Sequence, residues 1–284
     1  MDVAAFAAEL PARFGGDVFA DHPLDRRFEA VVDAVPGMTT EHTLTLLNLA
    51  VSRMSPDELY LEVGSYRGRS LVGAMLGQQD RRAVAIESFR EFGVDVEETE
   101  AEVLATLERF GCRDQIRWVR AEAFRVMPSS LVRGRVGVYF YDGAHSRVAQ
   151  YLGLALGEPL LADEALVVVD DASWRQVDVS TRAYVERHPG YRLVADLTAG
   201  HDFDPRWCNG VKVYAWKRPE GWTPPGGTEV AWRRLAHLYA LEPVRHLAWQ
   251  VLPRFPRVMA AAKKLYVHGG TSVPRPKPPV PPAA

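Results

Sequence analysis

The feature that most constrains this chain is a repeated pairing. A short apolar, β-branched run ends in an acidic residue or a glycine turn, and a helical stretch follows. Leu59-Tyr60-Leu61-Glu62-Val63 runs into Gly64, Ala83–Ile86 ends at Glu87, and Ile116–Val119 is followed by Glu122. Gly137–Tyr141 ends at Asp142, and Ala165–Val169 ends at Asp170-Asp171. Tyr191–Asp196 and Val211–Trp216 bring the strand-like runs to seven. Helical patterns at 70–76, 97–110, 149–161 and 177–186 lie between them, the first two closed by Gly77 and Gly111. Ahead of the first run, Thr39 or Thr40 opens a helix whose Leu44, Leu47, Val51 and Met54 share one face; Ser55-Pro56-Asp57 ends it. Alternating strands and helices of this kind predict an α/β fold: a doubly wound seven-stranded sheet, mostly parallel, covered by helices on both faces. Ligands in such folds sit beyond the carboxyl ends of the strands, at the topological switch point. A carboxylate at a strand end is badly placed for a core and well placed for a ligand.

The alternation divides the chain. Residues 1–40, with turn signals at Gly15-Gly16 and Pro36-Gly37, read as an N-terminal helical cap, and residues 41–219 as the ligand-binding domain. A Gly/Pro-rich linker then leads into a basic helical extension over 220–268, expected as two helical segments broken near Pro253 and Pro256. Its Arg233, Arg234, Arg245, Arg254, Arg257, Lys263 and Lys264 face only Glu229 and Glu242; Trp232, Leu235, Leu238, Tyr239 and Trp249 supply apolar faces. Residues 269–284 form a proline-rich tail expected to be disordered. The formal net charge of −2 gives no reason to expect a nucleic-acid partner. Two cysteines, Cys112 and Cys208, are too far apart in sequence for a metal knuckle. With no signal-peptide pattern and no transmembrane-length apolar stretch, the expectation is a cytoplasmic protein. The extension suggests homo-oligomer formation or packing through its helices, in preference to membrane contact.

The chemistry concentrates at the strand ends. In Leu61-Glu62-Val63-Gly64-Ser65-Tyr66-Arg67-Gly68-Arg69-Ser70, a strand enters a glycine turn and then a helix. Gly64 permits a positive φ and a close backbone approach, and the helix start offers free N–H groups to an anion. The G-x-x-x-G spacing is not the dinucleotide fingerprint, so a smaller anion such as a methionine carboxylate fits better than a pyrophosphate. Glu87 stands about 20 residues on, where an acid accepts a ribose diol; Glu122 is placed to reach the adenine side. Two readings stand for the later acids. Asp142, Asp170 and Asp171 converge on one divalent ion, with oxygen ligands suited to Mg²⁺, and His145 acts as general base. Otherwise Asp142 meets a ligand ammonium, and Asp170 or Asp171 caps the next helix.

YLEVGSYRGRSL, AVAIESF, GVYFYDGAHS and ALVVVDDASW together resemble the class I S-adenosylmethionine-dependent methyltransferases. In detail they look like the sugar O-methyltransferase group that includes macrocin O-methyltransferase. The resemblance covers about residues 37–218 and implies a last strand antiparallel to the others. It implies S-adenosyl-L-methionine as cofactor, with Glu62, Gly64, Ser65, Tyr66, Gly68, Ser70, Glu87, Ser88, Glu122 and Asp142 as the binding set. It further implies His145 and Asp142 as catalytic residues, and Mg²⁺ on Asp142, Asp170 and Asp171. The acceptor is a hydroxyl of a sugar or small natural product. The basic extension after Pro219 is not matched to that group, and Glu87 stands where aspartate is frequent. A same-fold enzyme of different chemistry, such as a hydroxylase, and a non-enzymatic partner-binding or membrane-surface protein are the competing readings.

Overall fold

The strand β1 (Glu58–Val63) is buried at all six positions, as a strand covered on both faces must be. Its side chains alternate between two cores: Tyr60 belongs to one, Leu59, Leu61 and Val63 to the other. The same split recurs in β4 (Arg135–Tyr141) and β5 (Leu161–Val169), where Val138, Phe140, Leu166 and Val168 point one way and Tyr139, Tyr141, Val167 and Val169 the other. In this computed structural model, residues 1–90, 94–129, 135–198, 200–251, 254–258 and 261 are described.

With β2 (Arg82–Glu87), β3 (Ile116–Arg120), β6 (Tyr191–Leu197) and β7 (Val211–Lys217), the strands form one sheet in the order β3-β2-β1-β4-β5-β7-β6. β1 to β5 pair in parallel, and β7 runs antiparallel to both β5 and β6. The expected antiparallel last strand is therefore present, inserted between β5 and β6. The order reverses between β1 and β4, which makes their carboxyl ends the switch point.

One core is covered by α1 (Val3–Glu9), α2 (Glu29–Ala34), α3 (Glu41–Ser52), α4 (Arg69–Met75) and α5 (Val96–Arg109). Thr40 caps α3 as its side chain accepts from the Thr43 N–H, and the helix is buried almost all round, well beyond the single face expected. Phe6, Leu10, Phe14, Phe28 and Val31 share this core with the sheet. The other core lies under α6 (Ala123–Val126), α7 (Arg147–Gly157) and α8 (Arg175–Val185). The helix expected over 149–161 stops at Gly157, because Pro159 cannot continue it; Glu158–Leu160 is a 3₁₀ turn and β5 already begins at Leu161.

The C-terminal extension adds α9 (Gly227–Ala236), a π-helical turn (His237–Leu241) and α10 (Glu242–Val251). These three elements follow one another directly from Gly227 to Val251, and Pro253, where a break is expected, lies outside the described residues. Val230 and Leu238 join the second core, and the Arg234 guanidinium donates to the Phe124 carbonyl. Residues 252–253 and the proline-rich stretch 269–284 lie outside the described residues. No described helix is long and apolar enough to cross a membrane.

Candidate active site

The turn after β1 is built by close contact with the end of β4. Gly64 has φ +91°, and a Cβ there would lie 2.0 Å from the Asp142 carbonyl oxygen. The close approach expected of Gly64 toward a ligand is thus spent on the neighbouring strand end. Asp142 N–H donates to the Val63 carbonyl at 2.9 Å, so the two switch-point strands leave their turns locked together. Tyr66 follows at φ +45°, and Gly68 at φ +82° caps α4 without any side-chain hydrogen bond, leaving that helix N-terminus open to an anion. Ser65 is buried, and its carbonyl accepts from the Gly68 N–H at 2.7 Å.

The acids on this side of the site are held in place by protein donors. Glu62 is fully buried beneath the turn and takes hydrogen bonds from the Tyr60 and Ser70 hydroxyls at 2.5 and 2.9 Å. Burial raises its pKa to about 7 against the opposing effect of these hydroxyls. The structure therefore keeps Glu62 and Ser70 inside, supporting the turn, and does not bring them to its surface as cofactor contacts. Glu87 accepts from the Tyr66 N–H at 2.7 Å and from the Ser88 and Phe89 N–H groups at 2.6 and 2.5 Å. The end of β2 and the glycine turn are joined through this one carboxylate. Glu122 follows Ala121, whose N–H bonds the Glu87 carbonyl. Its side chain caps α6 through the Arg125 N–H, lies 4.0 Å from His237 of the extension, and is raised in pKa by burial.

Beyond β4 and β5 the arrangement differs. His145 Nε2 lies 2.8 Å from Asp171 Oδ2 and 3.6 Å from Asp142 Oδ1. Neither oxygen lies where the N–H would point, and the buried Nε2 makes no aligned hydrogen bond. One ligand atom from each of Asp142, His145 and Asp171 lies within 4.8 Å of the others. Burial raises Asp142, and burial together with the charges of Asp142 and Asp171 raises Asp170 well above the usual carboxylate range. For His145, burial alone would lower the pKa, but the facing carboxylates outweigh it and raise it well above the ordinary value.

The metal set expected from the sequence is altered in this geometry. Asp170 continues the strand, its N–H bonded to the Tyr141 carbonyl, and is not among the three converging groups. Asp171 turns at φ +50°, which brings its carboxylate to His145. His145 enters the cluster itself. Two neighbours escaped the sequence reading. Asn209 donates to Asp171 Oδ1 at 2.7 Å; its only sequence signal is the Asn209-Gly210 pair, a turn pattern just ahead of β7. Trp174 meets the His145 ring edge-on at 5.0 Å, and its buried Nε1 has no partner among the described residues. The segment carrying Asn209 is anchored from the other end of the chain. Trp207 is fully buried against Phe14 and His42, and its indole N–H donates to the Val18 carbonyl.

A family model described as a methyltransferase domain matches residues 61–172, which span the glycine turn, Glu87, Asp142, His145 and the Asp170-Asp171 pair. No curated protein matches the chain. Among solved structures, the chain is similar to the cofactor-bound Rv0187 from MTB, at 19% identity and a TM-score of 0.52, with 76% of this chain and 95% of that chain covered. It is also similar to the O-methyltransferase from Bacillus cereus in complex with SAH, at 15% identity and a TM-score of 0.53, covering 69% and 92%. At these identities the likeness is one of fold. Domain match and sheet topology together mark an enzyme of the class I methyltransferase type.

Proposed function

We propose that the protein is an S-adenosylmethionine-dependent O-methyltransferase acting on a hydroxyl of a sugar or small natural product. The observation that carries this reading is His145 held between Asp142 and Asp171 at the ends of β4 and β5, beside the glycine turn. The open N-terminus of α4 suits the methionine carboxylate, and Glu87, fixed by three backbone N–H groups, suits the ribose diol. Methyl transfer is an in-line displacement at the sulfonium carbon, so the protein's tasks are to align the acceptor oxygen and to remove its proton. His145 is the base, and Asp171 steadies the imidazolium that forms. Asn209 holds Asp171 in place for this role.

A second reading rests on the unaligned Nε2. Asp142, His145 and Asp171 would hold a divalent ion, whose chemistry is to orient an acceptor hydroxyl and lower its pKa. The donor set fits such an ion, although an imidazole among two carboxylates makes it less oxygen-rich than Mg²⁺ prefers.

Calorimetry with S-adenosylmethionine tests the cofactor: a single site of micromolar affinity is expected, and no heat at high cofactor concentration overturns the reading. Release of S-adenosylhomocysteine on adding hydroxylated acceptors tests the reaction. Full activity after chelator treatment assigns proton removal to His145 alone. Loss of activity restored by a divalent salt assigns the cluster to the metal.

A further inference from the structure

The C-terminal helices dock through one face and leave another uncovered. Trp232 and Leu235 on α9 and Tyr239 in the π-helical turn are 67%, 48% and 65% exposed, and Val244, Leu247 and Val251 on α10 are 68%, 60% and 38% exposed. Within each triplet the residues recur at three- and four-residue spacing, so its members share a face. Tyr239 and Val244 are five residues apart, and the π-helical turn His237–Leu241 lies across that gap. A turn of that type brings residues five apart over one another. The π turn thereby joins two triplets into one apolar stripe; a regular α-helix would put them out of line. Exposed apolar surface of this length marks a binding face.

Charge identifies what covers it. From Thr228 to the end the chain carries nine Lys and Arg against two Glu, while residues 1–227 carry 25 Lys and Arg against 34 Asp and Glu. Of the two glutamates, Glu229 is paired with Arg233 and Glu242 is buried. Arg254 and Arg257, just past α10, are exposed. A second copy laid on the stripe would bring two basic segments together, whereas an anionic bilayer meets them with opposite charge and repels the acidic body. We infer that the stripe is a membrane-surface helix pair that binds bilayers containing anionic lipid, with Trp232 and Leu247 entering the headgroup region.

The test is co-sedimentation of the full chain with vesicles of phosphatidylcholine alone and of phosphatidylcholine with phosphatidylglycerol. Binding to the anionic vesicles is expected, weakened at least about tenfold without phosphatidylglycerol or in high salt. It is also expected to be lost in the Trp232→Glu/Leu247→Glu variant. Both side chains are exposed, so an unchanged circular dichroism spectrum and melting temperature confirm that the variant folds. Sedimentation velocity supplies the opposing outcome: a dimer dissolved by the same variant, without vesicle binding, assigns the stripe to a second copy and overturns the proposal. A monomer that ignores both kinds of vesicle overturns it equally.

Discussion

The two halves of the switch point treat their acidic residues in opposite ways. On the β1–β2 side, Glu62 and Glu87 accept hydrogen bonds from two hydroxyls and three backbone N–H groups. On the β4–β5 side, Asp142 and Asp171 face a histidine nitrogen with no aligned bond, next to an indole N–H with no described partner. The acids of the first half are held by protein donors before any ligand arrives. The second holds groups whose hydrogen bonding is incomplete within the protein, and such groups concentrate where chemistry is done. Substitutions should therefore separate: those in the first half cost stability and cofactor affinity together, and those in the second cost turnover with little cost in stability.

The largest expected effect is that of Asp171→Asn. It removes the carboxylate nearest His145 without changing its shape, and kcat/KM should fall about a hundredfold or more. The melting temperature should hold or rise, because one of three crowded acids is neutralised. Asp171 raises His145, so its removal lowers the imidazole pKa, and the acid limb of the kcat/KM profile should move to lower pH. A drop in activity matched by a large drop in melting temperature would erase the contrast between the halves.

Glu87→Gln comes next. An amide nitrogen replaces one oxygen and meets at least one backbone N–H head-on, leaving that donor unsatisfied. About 1–3 kcal/mol of stability should be lost, with cofactor affinity weakened about tenfold or more, read by thermal melting and calorimetry. A variant that binds cofactor normally would remove the ribose role from Glu87.

How much of this was readable beforehand follows the same division. Strand ends carrying acids were plain in the sequence, so Glu87, Asp142 and the Asp170-Asp171 pair were all singled out. Which of the two adjacent aspartates turns inward was not readable. The choice depends on a positive φ at Asp171, and no glycine signals it. Asn209 is not legible because it reaches the site through a segment anchored on Phe14 and His42, more than 160 residues away in sequence. The helix end at Gly157 is legible in Pro159, which cannot continue a helix. The hydroxyl partners of Glu62 could not be seen, since Tyr60 and Ser70 meet it only once β1 and α4 are packed.

The smallest effect concerns Glu62, and it tests how the first half holds its acids. Its pKa of about 7 stands above the ordinary value near 4.5, so the folded state holds this proton more tightly than the unfolded state. Between those two values the folded chain binds more protons, and stability must fall as pH rises. The loss from this residue between pH 6 and pH 7 is about 1 kcal/mol. Glu62→Gln keeps an acceptor for the Tyr60 hydroxyl and cannot ionise, so its melting temperature should lack this part of the decline. Melting curves of the two proteins across pH 5 to 8 measure the difference. Parallel curves would mean that Glu62 stays ionised in the fold, and the acids beside the glycine turn would then be as strained as those around His145.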